Sequence, residues 1–342
     1  MNAPVRIDLK DVSSFPSRRV ESWKYTDLNR WLREAPEPSS PLTAPVGGPF
    51  TGIDGDEITF GNGVTAEGSS SLLVEVEEGT EKVLKLRFVS GGVGGHEAQI
   101  HIVVYQGARL LLLESHEGEG SYVANNRISL SVSPECVIDR VVVLDEPAEA
   151  ISITTTKSTA PMAAYSQTVL TTGAKLQRYE THFDHFGDHA RAQLDGVYAL
   201  DASRRTDMTS VVRHRSPNGV TSQLTKGVVR DTARGVFQGK IVVERGADGT
   251  DARMGHHALI LGERAEVDAK PELEIYADDV QCAHGNTVGN LDESALFYMQ
   301  QRGIPADEAR ALLTQAFLFE VVDRIAHEGA REVVRAWLTA RL

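Results

Sequence analysis

Two residues near the end of the chain have the types and the spacing that could do chemistry. Cys282 and His284 lie in the stretch from Lys270 to Gly289, which reads KPELEIYADDVQCAHGNTVG. In an extended segment alternate side chains share a face, so this thiol and imidazole project together with tips roughly 6 to 7 Å apart. Such a pair could ligate a soft or borderline metal, or act as a nucleophile with its base. The alternative interpretation is a buried thiol beside a hydrogen-bonded histidine, because a free cysteine is often part of a core.

A second group of histidines has spacing that could suit a metal. The string HFDHFGDH places His182, His185 and His189 among Asp184 and Asp188. Two imidazoles and a carboxylate from such a cluster could meet around one ion. Histidine and aspartate also suit turns, so the other interpretation is a solvated strand end or turn.

Other catalytic motifs are absent from the sequence. The string nearest to a P-loop, GVFQGKI from Gly235 to Ile241, has the wrong spacing and a strand pattern. We also find no G-x-G-x-x-G after a strand, no nucleophile elbow and no H-E-x-x-H. His256 and His257 would point to opposite faces of a strand, so only one of them could join any site.

Composition narrows the class of protein. The chain has 342 residues, 41% of them hydrophobic, and a net charge of -13. Such a chain can bury a large core, and its acidity argues against nucleic acid or an anionic membrane as the main partner. The two cysteines favour a reducing compartment, and we find neither a signal peptide nor an apolar run of about 20 residues. We therefore expect a cytoplasmic protein.

Strands must position the candidate residues. From about residue 56 to residue 284 the chain is a succession of short alternating or apolar runs, with no helical period of useful length. We expect Gly285 to end the last run. The spacing of the runs is irregular, which argues against an array with a strict repeat. A sandwich, a barrel or a β-helix remains, and a β body of this length is typical of a β-helix.

Helical patterns lie at both ends of the β body. Near the N-terminus, RRVESWKYTDLNRWLRE predicts a short amphipathic helix or helix-turn-helix docked on the body, followed by a linker or extended crossing over residues 35–49. After Gly289, Asp292 caps a predicted helix that ends at Gly303, and Pro305 opens the next. The apolar stripe of that next helix comprises Ala309, Leu312, Leu313, Ala316, Phe317, Val321 and Ile325.

The domain boundaries follow from these patterns. We expect an N-terminal helical segment and linker over residues 1–50, a β body over residues 51–289 and a separable helical unit over residues 290–342. The apolar stripe of the C-terminal unit either packs on the β body, the commoner outcome, or offers a groove to a partner.

Long strings carry a resemblance to a known family. Between Lys226 and Ile325 the chain reads KGVVRDTARGVFQGKIVV, TDAR, KPELEIYADDVQCAHGNTVGNLDESALFYMQQRGI and EARALLTQAFLFEVVDRI. This block resembles the SufB/SufD family of iron–sulfur cluster assembly proteins, and the pairing of ADDV with C-x-H-G is similar to its SufD branch. The N-terminal ESWKYTDL is similar to the family's other signature. Two features depart from the family pattern, namely HFDHFGDH and the pair His256–His257, so these histidines inherit no role.

The resemblance implies a fold and a function. It implies a right-handed parallel β-helix with helical terminal domains, which acts as a non-catalytic scaffold with SufB and the ATPase SufC. The β-helix would pair with SufB, and the C-terminal helices, through Leu312, Leu313 and Phe317, would hold SufC. A transient iron–sulfur cluster is expected at the SufB contact. His284 would be a ligand of this cluster, and Cys282 would be part of the same binding site. No cofactor is expected on the isolated chain, which could form a homodimer.

A second hypothesis comes from the residues rather than the resemblance. A β-helix metalloenzyme could use His182, His185 and His189, with Asp184 and Cys282, around an ion. The two hypotheses differ in one property that can be measured, because a metalloenzyme would purify with stoichiometric zinc or iron.

Overall fold

A computed structural model describes residues 4–342, in which parallel strands dominate. The chain begins with two short 3₁₀ helices, Val12–Ser14 and Glu21–Trp23, and a one-turn helix α1 (Leu28–Trp31). The strands that the structure describes are β1 (Asp56–Gly61), β2 (Ser71–Val76), β3 (Glu81–Val104), β4 (Arg109–Val132), β5 (Val137–Asp145), β6 (Ile151–Pro161), β7 (Ala164–Thr171), β8 (Leu176–Phe186), β9 (Arg191–Leu200), β10 (Arg205–His214), β11 (Val220–Val229), β12 (Arg234–Val243), β13 (Asp251–Ile260), β14 (Glu266–Ile275) and β15 (Gln281–Gly289). The chain ends with α2 (Glu293–Gln301), α3 (Ala306–Val322) and α4 (Glu328–Thr339).

The strands form a parallel β-helix of about eight turns with two sheet faces. One face, sheet one, contains β5, β7, β9, β11, β13 and β15, and the other, sheet two, contains β6, β8, β10, β12 and β14. The long strands β3 and β4 run through both faces, since the first part of β4 pairs with β5 and the later part with β6. The expected β-helix is confirmed.

The number of residues in one coil of the β-helix changes along the chain. Asp56 pairs with Leu84, an offset of 28 residues, whereas Val220 pairs with Asp251, an offset of 31 residues. The irregular spacing in the sequence therefore reflects turns of variable length between coils of constant geometry. Each coil buries its inward side chains on those of its neighbours, so the interior is one continuous core.

The interior also holds a buried charged network. Glu114 is fully buried, and its carboxylate accepts hydrogen bonds from Arg140 Nε at 3.1 Å and from the hydroxyl of Tyr179 at 3.3 Å. His116 Nε2 lies 2.7 Å from the same carboxylate. Although burial raises the pKa of Glu114, the charges of Arg140 and His116 outweigh it and bring the pKa to about 2. The carboxylate therefore stays ionised inside the β-helix, compensated by its partners.

Sheet one is covered on its outer face by the C-terminal helices. Buried apolar residues of β4, β5, β9 and β11, among them Leu113 and Val228, form one cluster with Leu318, Val321 and Trp337 of α3 and α4. The predicted helices are confirmed, with Asp292 accepting hydrogen bonds from the backbone N–H groups of the first turn of α2. Since the helices and the sheet share this cluster, removing the helices would expose an apolar sheet face.

Sheet two is covered in part by the N-terminal segment. Trp23 and Leu28 are buried with Ile151 and Leu176, and the guanidinium of Arg178 lies 4.3 Å from the centre of the Trp23 ring. The segment therefore docks on the body as expected, but its regular structure is limited to one turn of helix and two 3₁₀ turns. The linker contains only a single bridge, at Pro38, which fits an extended crossing. No helix within residues 4–342 is both long and apolar enough to cross a bilayer.

We predict that Glu114 contributes strongly to stability because it compensates Arg140. Glu114→Gln would leave a buried guanidinium without its counter-charge and lower the free energy of unfolding by about 3 kcal/mol. Urea unfolding followed by circular dichroism measures this difference. The matched control is Glu81→Gln, which removes an exposed ion pair with Arg109 at 3.7 Å and should cost less than about 1 kcal/mol. Equal effects of the two substitutions would contradict the prediction.

Candidate functional site

The last strand, β15, carries both candidate residues at the open end of the β-helix. In the parallel register Cys282 lies opposite Ala252 and His284 opposite Met254, two buried residues of β13. Cys282 is half-buried and packs against the interior core. His284 lies on the same side of the strand but is exposed, because no further coil covers it. The strand continues to Gly289, so the expectation that it ends at Gly285 is wrong.

The two candidate side chains differ in how readily each could bind a metal. Burial raises the pKa of the Cys282 thiol, and the nearby charge of Asp251 raises it further. The thiol is therefore protonated at neutral pH and is a weak nucleophile and ligand until a partner or metal displaces the proton. The exposed imidazole of His284 is the more accessible ligand of the two.

A buried histidine missed by the site prediction holds the final strand in place. His256, on β13, is buried, and its Nδ1 lies 2.7 Å from the amide oxygen of Asn286 on β15. Its Nε2 lies 2.9 Å from the hydroxyl of Tyr198, and its ring stacks on Phe237 at 4.6 Å. Asn286 shares the parity of His284, which was the signal available in the sequence. This contact fixes β15 two residues beyond the exposed imidazole.

His257 contacts the opposite side of the same strand. Its Nδ1 lies 2.7 Å from the hydroxyl of Thr287, which has the other parity from Asn286. The prediction that His256 and His257 point to opposite faces is confirmed. Both histidines therefore connect β13 to β15, and only His256 lies on the side of Cys282 and His284.

The open end is a surface suited to a protein partner. Strands β14 and β15 close the two ends of the hydrogen-bonded strand order, so each has one edge without a neighbouring strand within the described chain. Exposed apolar side chains stand at this end, including Ile275 at 42%, Tyr276 at 57% and Val288 at 45%. Unpaired strand edges with exposed apolar residues favour pairing with another chain.

The histidines of HFDHFGDH do not come together. His182, on the outer face of sheet two, lies 2.6 Å from Glu180 through Nε2, whereas His185 has the opposite parity and stacks on His214 at 4.2 Å. His189 is exposed in the turn after β8. Within residues 4–342 no group of three or more His, Cys, Asp or Glu side chains is placed to hold a metal. The prediction of a metal cluster is therefore wrong, because strand alternation separates His182 from His185. The alternative interpretation, a solvated strand end or turn, is also wrong for these two histidines, because both are buried.

The C-terminal helices present a second exposed apolar surface. Of the predicted stripe, Ala309, Val321 and Ile325 are buried, whereas Leu312 is 42% exposed and Ala316 is also exposed. Leu313 is half-buried, as is Phe317, which packs at the edge of the core that joins the helices to sheet one. The stripe therefore divides between a buried part and a part that faces away from the body.

Helix α2 carries two further exposed apolar residues that the sequence reasoning missed. Phe297 is 64% exposed and Tyr298 is 59% exposed. The α2 string ESALFYMQQ has adjacent aromatic residues, so one helical turn cannot bury both on the same core. That adjacency was the signal in the sequence. We call Phe297, Tyr298 and Leu312 the helical patch.

The geometry defines a class of protein before any comparison. The chain is a parallel β-helix with a terminal coil that carries His284 and with helices along one sheet face. Residues 88–317 match the core domain described as "SUF system FeS cluster assembly, SufBD core domain". Since this match covers more than half of the chain, the protein belongs to the SufBD family.

Individual relatives agree with this assignment. The iron–sulfur cluster assembly protein SufD of Escherichia coli is 28% identical over 286 residues, 81% of this chain and 67% of the relative. The chloroplastic protein ABCI7 of Arabidopsis thaliana is 29% identical over 280 residues, 77% of this chain and 59% of the relative. SufD of Bacillus subtilis is 32% identical over 147 residues, 43% of this chain and 34% of the relative. The alignments thus leave a third or more of each relative unmatched.

We predict that His256 makes the stability of the open end depend on pH. Burial lowers the pKa of His256 to about 4, from an ordinary value near 6.5. A histidine with a lowered folded pKa contributes stability above pH 6.5, and this contribution is lost as pH falls toward 4. The free energy of unfolding of the wild type should therefore fall between pH 6.5 and pH 4.5. In His256→Asn this fall should be smaller, by up to about 1.4 kcal/mol per pH unit.

The control for this prediction keeps the imidazole and removes its partner. Tyr198→Phe loses the hydrogen bond to His256 but leaves the buried histidine, so its pH slope should equal that of the wild type. Urea unfolding at several pH values measures both variants. An unchanged slope in His256→Asn would show that His256 titrates alike in the folded and unfolded states.

Proposed function

We propose that this chain is a non-catalytic scaffold subunit of a SUF iron–sulfur cluster assembly complex in the cytoplasm. The observation that carries the proposal is the open end of the β-helix, where an exposed histidine lies beside unpaired strand edges in a protein of the SufBD family. A protein that builds a cluster jointly with a partner requires a ligand that faces that partner. Both cysteines are free, which fits a reducing compartment.

The open end is the proposed contact with SufB. The free edges of β14 and β15 offer backbone N–H and C=O groups, and Ile275, Tyr276 and Val288 supply apolar area around them. Strand addition at such an edge gives affinity through backbone hydrogen bonds and specificity through side chains. In the absence of SufB the same edge could accept a second copy of this chain, which would form the homodimer.

His284 is the proposed ligand for the cluster at this contact. A neutral imidazole nitrogen is an acceptable ligand for cluster iron, and His284 is exposed where the partner would dock. The contact between His256 and Asn286 positions the strand that carries it. Cys282 lies on the same side of β15 as His284 and has a protonated, half-buried thiol. We therefore propose that His284 binds the cluster and that Cys282 supports the site.

The helical patch is the proposed contact with the ATPase SufC. Its apolar side chains lie on α2 and α3, away from the face of α3 that packs on sheet one. We include Leu313 and Phe317 at its border, where both are half-buried. Aromatic and leucine side chains that are exposed together are typical of protein interfaces.

We predict that His284→Ala abolishes cluster content without unfolding the protein. The side chain is exposed and supports no core, so the melting temperature and co-purification with SufB and SufC should remain at wild-type values. Iron and acid-labile sulfide in the purified complex should fall by at least fivefold. The control is His189→Ala, which removes an exposed histidine from the turn before β9, three coils before β15.

The outcomes of this experiment separate three roles for His284. Normal iron and sulfide in His284→Ala would reject the ligand role. A lower melting temperature would assign His284 to packing, and lost SufB binding with a normal melt would assign it to the interface alone. Stoichiometric metal with hydrolase or lyase activity in the isolated wild-type chain would reject the scaffold proposal itself.

We predict that Leu312→Asp weakens SufC binding by at least tenfold. A carboxylate in the helical patch would be buried without a partner in the complex, whereas in the free protein it stays in water. Calorimetric titration of the variant with SufC measures the loss, and circular dichroism checks the fold. Point substitution is preferable to deletion of the helices, since deletion exposes the apolar face of sheet one.

Leu73→Asp is the matched control for the helical patch. Leu73 is 58% exposed on β2, at the opposite end of the β-helix, so the same change there should leave SufC binding intact. Equal binding of SufC by Leu312→Asp and wild type would place the ATPase on another surface.

A further inference from the structure

A basic cleft lies between the N-terminal segment and sheet two, far in sequence from the open end. The cleft has a volume of about 610 Å³. Five cationic side chains line it: Arg18, Lys24, Arg30, Arg33 and Arg234. The acidic residue in its lining, Asp27, caps α1 by accepting a hydrogen bond from the backbone N–H of Arg30 at 3.1 Å. In a chain with a net charge of -13, this local excess of positive charge is unusual.

A narrower recess opens from the floor of the cleft. It has a volume of about 120 Å³, and its lining includes Arg30, Arg205 and Arg234. Two carboxylates also line it, Asp27, which caps α1, and Asp207, which is paired with Arg178. Arg205 and Arg234 are in register on the neighbouring strands β10 and β12, and both side chains line the recess. Like charges directly opposite each other on a sheet are destabilising unless something compensates them.

Compensation within the protein is incomplete. Arg234 donates from Nε to Asp268 at 2.8 Å and lies 3.5 Å from Glu266. Arg205 stacks on Trp31 at 5.2 Å, but no carboxylate of residues 4–342 lies within ion-pair distance of it. Partial burial and the charge of Arg234 lower the pKa of Arg205, with Arg30 adding to the effect. The charge of Glu266 opposes this lowering of the pKa in part. The fold therefore retains a half-buried cation beside other arginines, with no carboxylate at ion-pair distance.

We propose that this cleft binds a diphosphate group, either free or carried by a nucleoside. Guanidinium groups match phosphate oxygens in a bidentate geometry, and a diphosphate spans more cations than a monophosphate can. The recess admits a small anion but not a partner's helix, which is about 10 Å or more across. Tyr25 and Trp31 line the same region, and each ring already has a cation over one face, Lys24 and Arg205 respectively. A base would have to stack on the other face of one of these rings.

The proposal gives a role to a string that the scaffold function leaves without one. Lys24, Tyr25 and Asp27 belong to ESWKYTDL, which lies at the N-terminal end of the chain. Its other aromatic residue, Trp23, is buried under Arg178 and holds the segment on sheet two. The segment thus places its polar residues over the arginines of β10 and β12. Arg234 also bonds to Asp268 of β14, so the cleft borders the last coil, but neither His284 nor the helical patch lines it. The proposal therefore does not depend on the roles proposed for those residues.

The test is binding of pyrophosphate and of ADP to the full-length chain, measured by calorimetry at low salt and by thermal shift. We expect both ligands to raise the melting temperature, with binding at least tenfold weaker in Arg205→Gln. The same substitution should leave the unliganded melting temperature unchanged or higher, because it relieves repulsion with Arg234. The control is Arg245→Gln, an exposed arginine outside the cleft, which should bind as the wild type does.

The comparison of ligands distinguishes the source of the group. Tighter binding of ADP than of pyrophosphate would indicate a nucleoside diphosphate, and equal binding would indicate the diphosphate alone. A thermal shift no larger than that of sodium sulfate at equal ionic strength would overturn the proposal. Equal affinity in Arg205→Gln and wild type would also overturn it, as would binding of polyglutamate without binding of diphosphate, which would indicate an acidic protein partner.

Discussion

In-register parallel pairing between successive coils is the constraint on which the rest of this structure depends. Each internal strand gives its backbone N–H and C=O groups to the coil before and the coil after it, so these groups are satisfied without further elements. Only the terminal coils are left with free edges. At the C-terminal end those edges belong to β14 and β15, and this is where Cys282 and His284 lie.

The same constraint explains the helices and the N-terminal segment. Parallel sheets bury both faces, so the outward side chains of sheet one and sheet two need cover. The C-terminal helices supply it for sheet one through Leu318, Val321 and Trp337, and the N-terminal segment supplies part of it for sheet two through Trp23. Side chains not needed for this cover, such as those of the helical patch, remain available to partners.

The interior combines apolar layers with polar groups that neutralise one another. Glu114 and Arg140 form a buried ion pair, while burial keeps His214 and His256 neutral by lowering the pKa of each to about 4. Arg205 contrasts with these groups, since it is half-buried and lacks a carboxylate partner. Compensated charges thus hold the coils together, whereas the surplus of positive charge around Arg205 lies at the cleft for which we propose a ligand.

The sequence by itself determined the β body, the cap of α2, the start of α3 at Pro305 and the parity of Cys282 and His284, because these follow from local alternation, capping chemistry and the helix-start preference of proline. It also carried the strings that resemble the family. It did not determine which faces are covered: the stripe with Leu312 and Phe317 has one period, yet packing on sheet one buries some of its members and exposes others. Only the tertiary structure stacked His185 on His214 and placed Arg205 beside Arg234. Such contacts join residues about one coil apart, and no local pattern encodes the register that brings them together.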